Sequence, residues 1–381
     1  GIATLTFNMF LPSLVNIAET FGVSYAVVSI SMAGYLAVTA VLQIVIGPLS
    51  DRYGRRPVIL VAVAIFVAAS VGCLVAQDIW VFLICRMVQG TIIASSAVAR
   101  VIVRDMHPAG AAVRKLGTIA MAMAVAPMLA PMLGGALDEA FGWRASFVAF
   151  TVLGIFALTL AWVDLGETNA HPSETLGRQM RAYPVLLRSG PFWGYALCSA
   201  FSTGAFFTFI AGVPLVASAS FGVSTGALGV WMGTITGGYI FGSFCASRLG
   251  GSYGLAMMML AGRLTSMVGL SLGLALMGLG FVHEWVFFGA TLFVGIGNGI
   301  TTPSANVGSM SVRADLGGTA SGMTGALTVG VSAVLTWATG AVVSVHDGPM
   351  VLTGLILAVV LVSLLCAVWV SRFAPERVVP G

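Results

Sequence analysis

Two stretches of this chain place charge where charge is costly. Residues 86–90 read RMVQG inside an otherwise apolar run, and residues 47–57 read GPLSDRYGRRP between two long runs that carry no charge. An arginine held at the centre of a membrane helix costs ~2.5–3.5 kcal/mol on insertion scales. Arg86 is therefore read as functional, with Gln89 one turn on as a partner that can both donate and accept. Tyr35, Asn298 and Asn306 also sit inside apolar runs, where a polar group wants a partner or water, and Asn8 lies near the start of the chain. Such a set can bind and orient a small molecule. Chemistry on that molecule is not indicated, because the sequence holds no HExxH, no paired carboxylates or serine with a base at membrane depth, and no GxxxxGK[ST] to cradle ATP. No metal and no cofactor is expected. The cysteines, Cys73, Cys85, Cys198, Cys245 and Cys366, lie in apolar runs at unrelated spacings and read as ordinary buried thiols.

The medium that positions these residues is a bilayer. Of 381 residues, 58% are apolar and 8% are charged, with mean hydropathy +1.02, whereas a soluble domain carries roughly a quarter of its residues as charges. Runs of ~20 apolar residues recur at about 1–17, 25–46, 57–77, 80–102, 116–137, 145–164, 191–215, 225–246, 253–277, 284–306, 318–340 and 350–371. They are continuous rather than alternating, which predicts helices and not a barrel: an all-α integral membrane protein of twelve spans. The chain opens at Gly1 already inside an apolar run, which reads as a trimmed cytoplasmic tail.

The net charge of +4 reports topology rather than a nucleic-acid partner. Arg52, Arg55, Arg56, Arg100, Arg104, Arg114, Lys115, Arg178, Arg181, Arg188, Arg248, Arg313, Arg372 and Arg377 fall on one side, and the opposite connections hold only Arg144. By the positive-inside rule both termini are cytoplasmic, and GPLSDRYGRRP joins spans 2 and 3 on that side. A polar linker at 165–190, with a short surface helix expected around 176–187, separates a first bundle at 1–164 from a second at 191–381. FGVS at 21–24 returns at 221–224, each preceded by a proline, Pro12 and Pro214, and SDRYG at 50–54 has an echo in ASRLG at 246–250. Two parallel repeats are a secondary-transporter plan. Arg263, about nine residues from the cytoplasmic end of its span, is expected to snorkel to the interface.

GPLSDRYGRRP resembles the loop 2–3 signature of the major facilitator superfamily. RMVQG is similar to the span 4 motif of its proton-coupled members, and AVAPMLAPMLGG at 124–135 to the span 5 motif of its exporters. With FNMFLP, VRDMHP, GWRASF and GGTASGMTGALTVGVSAVL, the chain resembles the bicyclomycin/chloramphenicol resistance (Bcr/CflA) drug:proton antiporters over nearly its full length. The resemblance implies two six-helix bundles related by pseudo-two-fold symmetry, alternating access, and multidrug efflux from a bacterial inner membrane by a monomer. It also implies a cytoplasmic gate of Gly47, Asp51, Arg52, Gly54, Arg55, Arg56 and Asp105, with Asp105 pairing Arg55. Pro127, Pro131, Gly134 and Gly135 would form the exporter motif.

One residue departs from that pattern. The subfamily carries an aspartate in span 1 where this chain has Asn8, and none of the 13 acids lies at a span centre. An amide does not titrate, so three readings follow: Asn8 is a replacement that fixes a protonated-like state, coupling has moved to Asp138 or Glu139, or the chain is a facilitator or importer of a small metabolite or anion bound at Arg86. The expected partners are a small-molecule substrate and lipid.

Overall fold

The computed structural model describes residues 2–106, 129–167, 183–249, 253–313, 316–343 and 348–373. The described residues form helices and no strand: α1 Ile2–Asn8, α2 Leu14–Phe21, α3 Tyr25–Tyr53, α4 Arg55–Val75, α5 Ile79–Gln89, α6 Ile92–Met106, α7 129–141 and α8 Arg144–Asp164. The series continues with α9 Tyr183–Leu187, α10 Gly190–Phe221, α11 Thr225–Leu249, α12 Leu255–Gly278, α13 Glu284–Ser311, α14 Gly317–Val342 and α15 Gly348–Phe373. Nine of the described helical stretches are long and apolar enough to cross a bilayer. Span 5 falls largely outside the described residues, and the surface helix expected at 176–187 is described only as α9.

Span 1 is not one continuous helix. Pro12 has no N–H to return to the carbonyl four residues back, so α1 ends at Asn8, a single 3-10 turn covers Leu11–Ser13, and α2 resumes. By contrast, the charged stretch after span 2 stays helical: α3 runs to Tyr53, with Arg52 in its last turn, where the carbonyl ends of the helix favour a cation. The reversal into α4 is made by Gly54 alone, at φ +95°.

The chain folds as two compact units, Gly1–Leu176 with Ser224–Gly229, and Gly177–Val223 with Val230–Gly381. The repeat read from the sequence has a matching local geometry. Gly22 ends α2 at φ 62°, ψ 34°, and Gly222 ends α10 at φ 62°, ψ 26°, both in the left-handed region and both donating back to the last turn. Asp78 caps α5 by accepting from the Trp80 and Val81 amides, and the His283 side chain caps α13 by accepting from the Trp285 amide. The phenyl rings of Phe21 and Phe82 meet at 5.6 Å, as those of Phe221 and Phe287 do at 5.9 Å.

Candidate functional site

Arg86 is fully buried in the first unit. Its position follows from the helix that carries it: α5 buries Ile79, Phe82, Leu83, Arg86 and Gln89, residues spaced three and four apart on one face. Nη1 donates to Gln89 Oε1. Gln89 Nε2 in turn donates to Ser70 Oγ at 2.7 Å, and Ser70 donates to the Phe66 carbonyl at 2.8 Å. This chain locks one edge of the guanidinium to α4. The flat face lies over aromatic rings, with Cζ 3.8 Å from the Phe10 centroid, 5.2 Å from Tyr35 and 5.8 Å from Phe147, a distance range in which the ring quadrupole attracts a cation. Among the described residues Nε and Nη2 have no hydrogen-bond partner.

The break in span 1 faces this arrangement through Phe10. Asn8 Nδ2 donates to the Thr4 carbonyl at 2.8 Å on its own helix, which leaves Asn8 Oδ1 buried and unpartnered. Tyr35 donates to the Ala3 carbonyl at 3.3 Å, and its ring sits 5.5 Å from that of Phe7. Four of the expected residues, Asn8, Tyr35, Arg86 and Gln89, thus lie buried in one unit, with the Tyr35 ring and the Gln89 amide set against Arg86 itself. The spare donors and the aromatic faces together suit a molecule with an apolar body and a polar or anionic group.

Gly134 is what lets α7 reach the broken span. A Cβ there would stand 1.5 Å from the Met9 carbonyl oxygen, and one on Gly135 would stand 2.2 Å from the Thr225 carbonyl oxygen. Pro131 lies in the same helix with its carbonyl against Gly229, and Pro127 lies outside the described residues. One turn past Gly134, Asp138 Oδ2 accepts from Asn16 Nδ2 at 2.6 Å, and Oδ1 is buried without a partner. Asp138 stands beyond the 116–137 span, and burial pushes its carboxyl above the usual carboxylate range. Glu139 is exposed, beside Gly226.

At the gate stretch the Arg55 guanidinium donates from Nη1 to Ser50 Oγ at 2.7 Å. Gly47 lies within α3; the side chains of Asp51 and Asp105 lie outside the described residues, and the expected Asp105 pairing lies there with them. A residue that sequence reasoning missed organises the turn. The Glu167 carboxylate accepts from the Arg55 and Arg56 amides at 2.9 and 3.2 Å, which places a negative charge on the N-terminus of α4. Arg56 reaches the carbonyl of Trp162 at 3.0 Å and lies over its ring at 5.7 Å. A Cβ on Gly54 would come 2.5 Å from Glu167 Oε2, the flexible end of an exposed side chain, so it is the φ of +95° that calls for glycine there. Arg52 is exposed over Tyr53.

The second unit corrects one expectation. Arg263 does not snorkel but is fully buried. Gly262 and Gly297 let α12 and α13 touch backbone to backbone, since a Cβ on Gly262 would meet the Gly297 carbonyl at 2.5 Å. The contact holds the arginine inside. Its Nε donates to Thr301 Oγ1 at 2.9 Å and Nη2 to Asn298 Oδ1 at 2.8 Å, an oxygen that also accepts from Ser202 at 2.8 Å. Asn306 is exposed and accepts from Ser199 at 3.1 Å. Among the described residues no group of three or more His, Cys, Asp or Glu could hold a metal.

Comparison with known proteins agrees with this architecture. A family model described as Major Facilitator Superfamily matches residues 1–337. The chain is 30% identical over 256 residues to the uncharacterized MFS-type transporter YdgK of Bacillus subtilis, covering 66% of this chain and 64% of that protein. It is 30% identical over 247 residues to the multidrug transporter MdfA of Edwardsiella piscicida, covering 64% and 60%, and 29% identical over 295 residues to MdfA of Yersinia pestis, covering 76% and 72%. The chain thus spans less than two thirds of the first two of these relatives. Among solved structures, the D-xylose–proton symporter superposes with TM-score 0.71 over 98% of this chain and 96% of that one, at 16% identity. A bacterial homolog of the lysosomal transporter Spinster does so with 0.70 over 98% and 97%, also at 16%.

Proposed function

The chain belongs to the major facilitator superfamily, and from that premise we propose that it exports small amphipathic compounds by alternating access, as a Bcr/CflA-type drug:proton antiporter in a bacterial inner membrane. The observation that carries the proposal is the Arg86 site: a buried guanidinium with two unpartnered nitrogens laid against Phe10 and Tyr35. An aromatic face accepts the apolar body of many compounds, and the N–H groups on the two unpartnered nitrogens can donate to an oxygen-bearing head. The likeness to transporters named for multidrug transport supports the same reading.

Coupling to protons then requires a carboxyl group, and Asp138 supplies one. Burial raises its carboxyl above the usual carboxylate range, which is the direction a proton carrier needs. Uptake of a labelled chloramphenicol-like drug into inverted vesicles tests the proposal, with and without an imposed pH gradient. The native chain is expected to accumulate drug with the gradient, and Asp138→Asn to lose the dependence on it. Accumulation only in Asn8→Asp would place the carrier in span 1, and no drug movement in any form would sink the exporter reading.

A second reading has its own support. Among the described residues no carboxylate bonds to Arg86, and an unpaired guanidinium in a buried site is well made for a carboxylate or phosphate. On this reading the chain is a facilitator or importer of a small anion. Gradient-independent exchange of a labelled carboxylate, abolished in Arg86→Lys because the planar two-pronged donor is lost, would favour it over export.

A further inference from the structure

The buried cation of the second unit carries more than packing requires. Arginine keeps its charge in proteins, and Arg263 has no solvent exposure. Its hydrogen-bond partners, Thr301 and Asn298, are neutral, and so is Ser202, which shares the Asn298 oxygen. The one carboxylate among the described residues of this unit is Glu284, which opens α13 fourteen residues before Asn298, about 21 Å away along the helix at 1.5 Å per residue. The Cys198 thiol lies within electrostatic reach and is likewise an uncharged group in its protonated form. The third nitrogen, Nη1, is buried with no hydrogen-bond partner among the described residues.

The geometry points to a binding site for a small monovalent anion at Arg263 Nη1, built by Arg263, Asn298, Thr301 and Ser202. The polar side chains fix two edges of the guanidinium and leave the third as a directed donor, and an anion there would neutralise a charge that the helices cannot. The site lies within one unit and stands whatever the direction or drive of transport.

The full chain, purified in detergent, tests this through its thermal midpoint. Sodium chloride, sodium acetate and sodium gluconate are compared at one ionic strength. A saturable rise of a few degrees is expected in chloride or acetate relative to gluconate, as for any ligand that binds only the folded state. A response to both marks a free small anion, and a response to acetate alone marks a carboxylate such as an organic substrate would bring. Arg263→Met should abolish the response. As a guard against poor folding of that variant, Asn298→Asp is the second arm: it tethers a carboxylate within hydrogen-bond reach of Nη2, so it should fold at least as well as the native chain and ignore the anion. Identical midpoints in all three salts, or an anion response that persists in Asn298→Asp, would overturn the site.

Discussion

The two units each bury one arginine completely, yet they treat it differently. Arg86 rides on α5, is braced at one nitrogen by a side-chain relay to α4, and lies over the rings of Phe10 from the broken first span, Tyr35 from α3 and Phe147 from α8. Arg263 rides on α12 and is gripped at two nitrogens by α13. The repeat therefore preserves caps and turns while the charged centres have moved: the fold is duplicated and the site is not. A guanidinium half committed to protein is free to engage something that comes and goes, whereas one mostly committed is suited to a resident role.

The largest effect should come from removing the freer of the two. Arg86→Met is expected to abolish transport in vesicles while the protein is made and purified at normal yield, because its charge faces rings rather than a structural counter-charge. Arg263→Met is also expected to fold. Removing a buried charge recovers ~2.5–3.5 kcal/mol on insertion scales, and the two charged hydrogen bonds lost to Asn298 and Thr301, each of which keeps another partner, are worth ~1.5–3 kcal/mol apiece. These nearly cancel, so in gluconate its midpoint should stay within a few degrees of the native chain. Full transport by Arg86→Met would erase the functional half of the contrast.

These outcomes also mark what the sequence could tell. The burial of Arg86 and Gln89 was legible because charge inside an apolar run has few explanations. Arg263 was misread because distance along a helix was used as a measure of depth, and what buries it is rotation toward α13, set by a glycine contact between two helices. The twelve-span, all-helical plan came from hydropathy, but the break in span 1 did not: Pro12 was visible, while the 3-10 turn at Leu11–Ser13 and the close approach of α7 to Met9 at Gly134 were not. Glu167 stayed hidden because it meets Arg55 across 112 residues. No local pattern encodes such a pair.

Glu167 gives a middle-sized test of how the first unit holds its reversal. Glu167→Gln keeps the shape and one acceptor but removes the charge on the α4 N-terminus. A lost cap of this kind costs about 1 kcal/mol, lowered further by exposure and by salt. A midpoint drop of a few degrees is expected in dilute salt and a smaller one at high salt. A drop that does not depend on salt would mean that shape, not charge, positions the turn.

The smallest effect tests what the two units share. Gly22 and Gly222 have the same φ of 62°, and a Cβ added to either meets nothing within 4 Å. Substitution by alanine therefore creates no clash, and its cost is conformational alone, roughly 1–2 kcal/mol for an L-residue held in the left-handed region. Asparagine, which tolerates that region, should cost less at both positions. The two alanine variants are expected to lower the midpoint by similar amounts and the double variant by their sum, since the sites lie in different units and share no partner. Unequal costs would show that the repeat is a likeness of sequence that the two units no longer use in the same way. Equal costs would locate the divergence of the units in their buried arginines, with the frame around them intact.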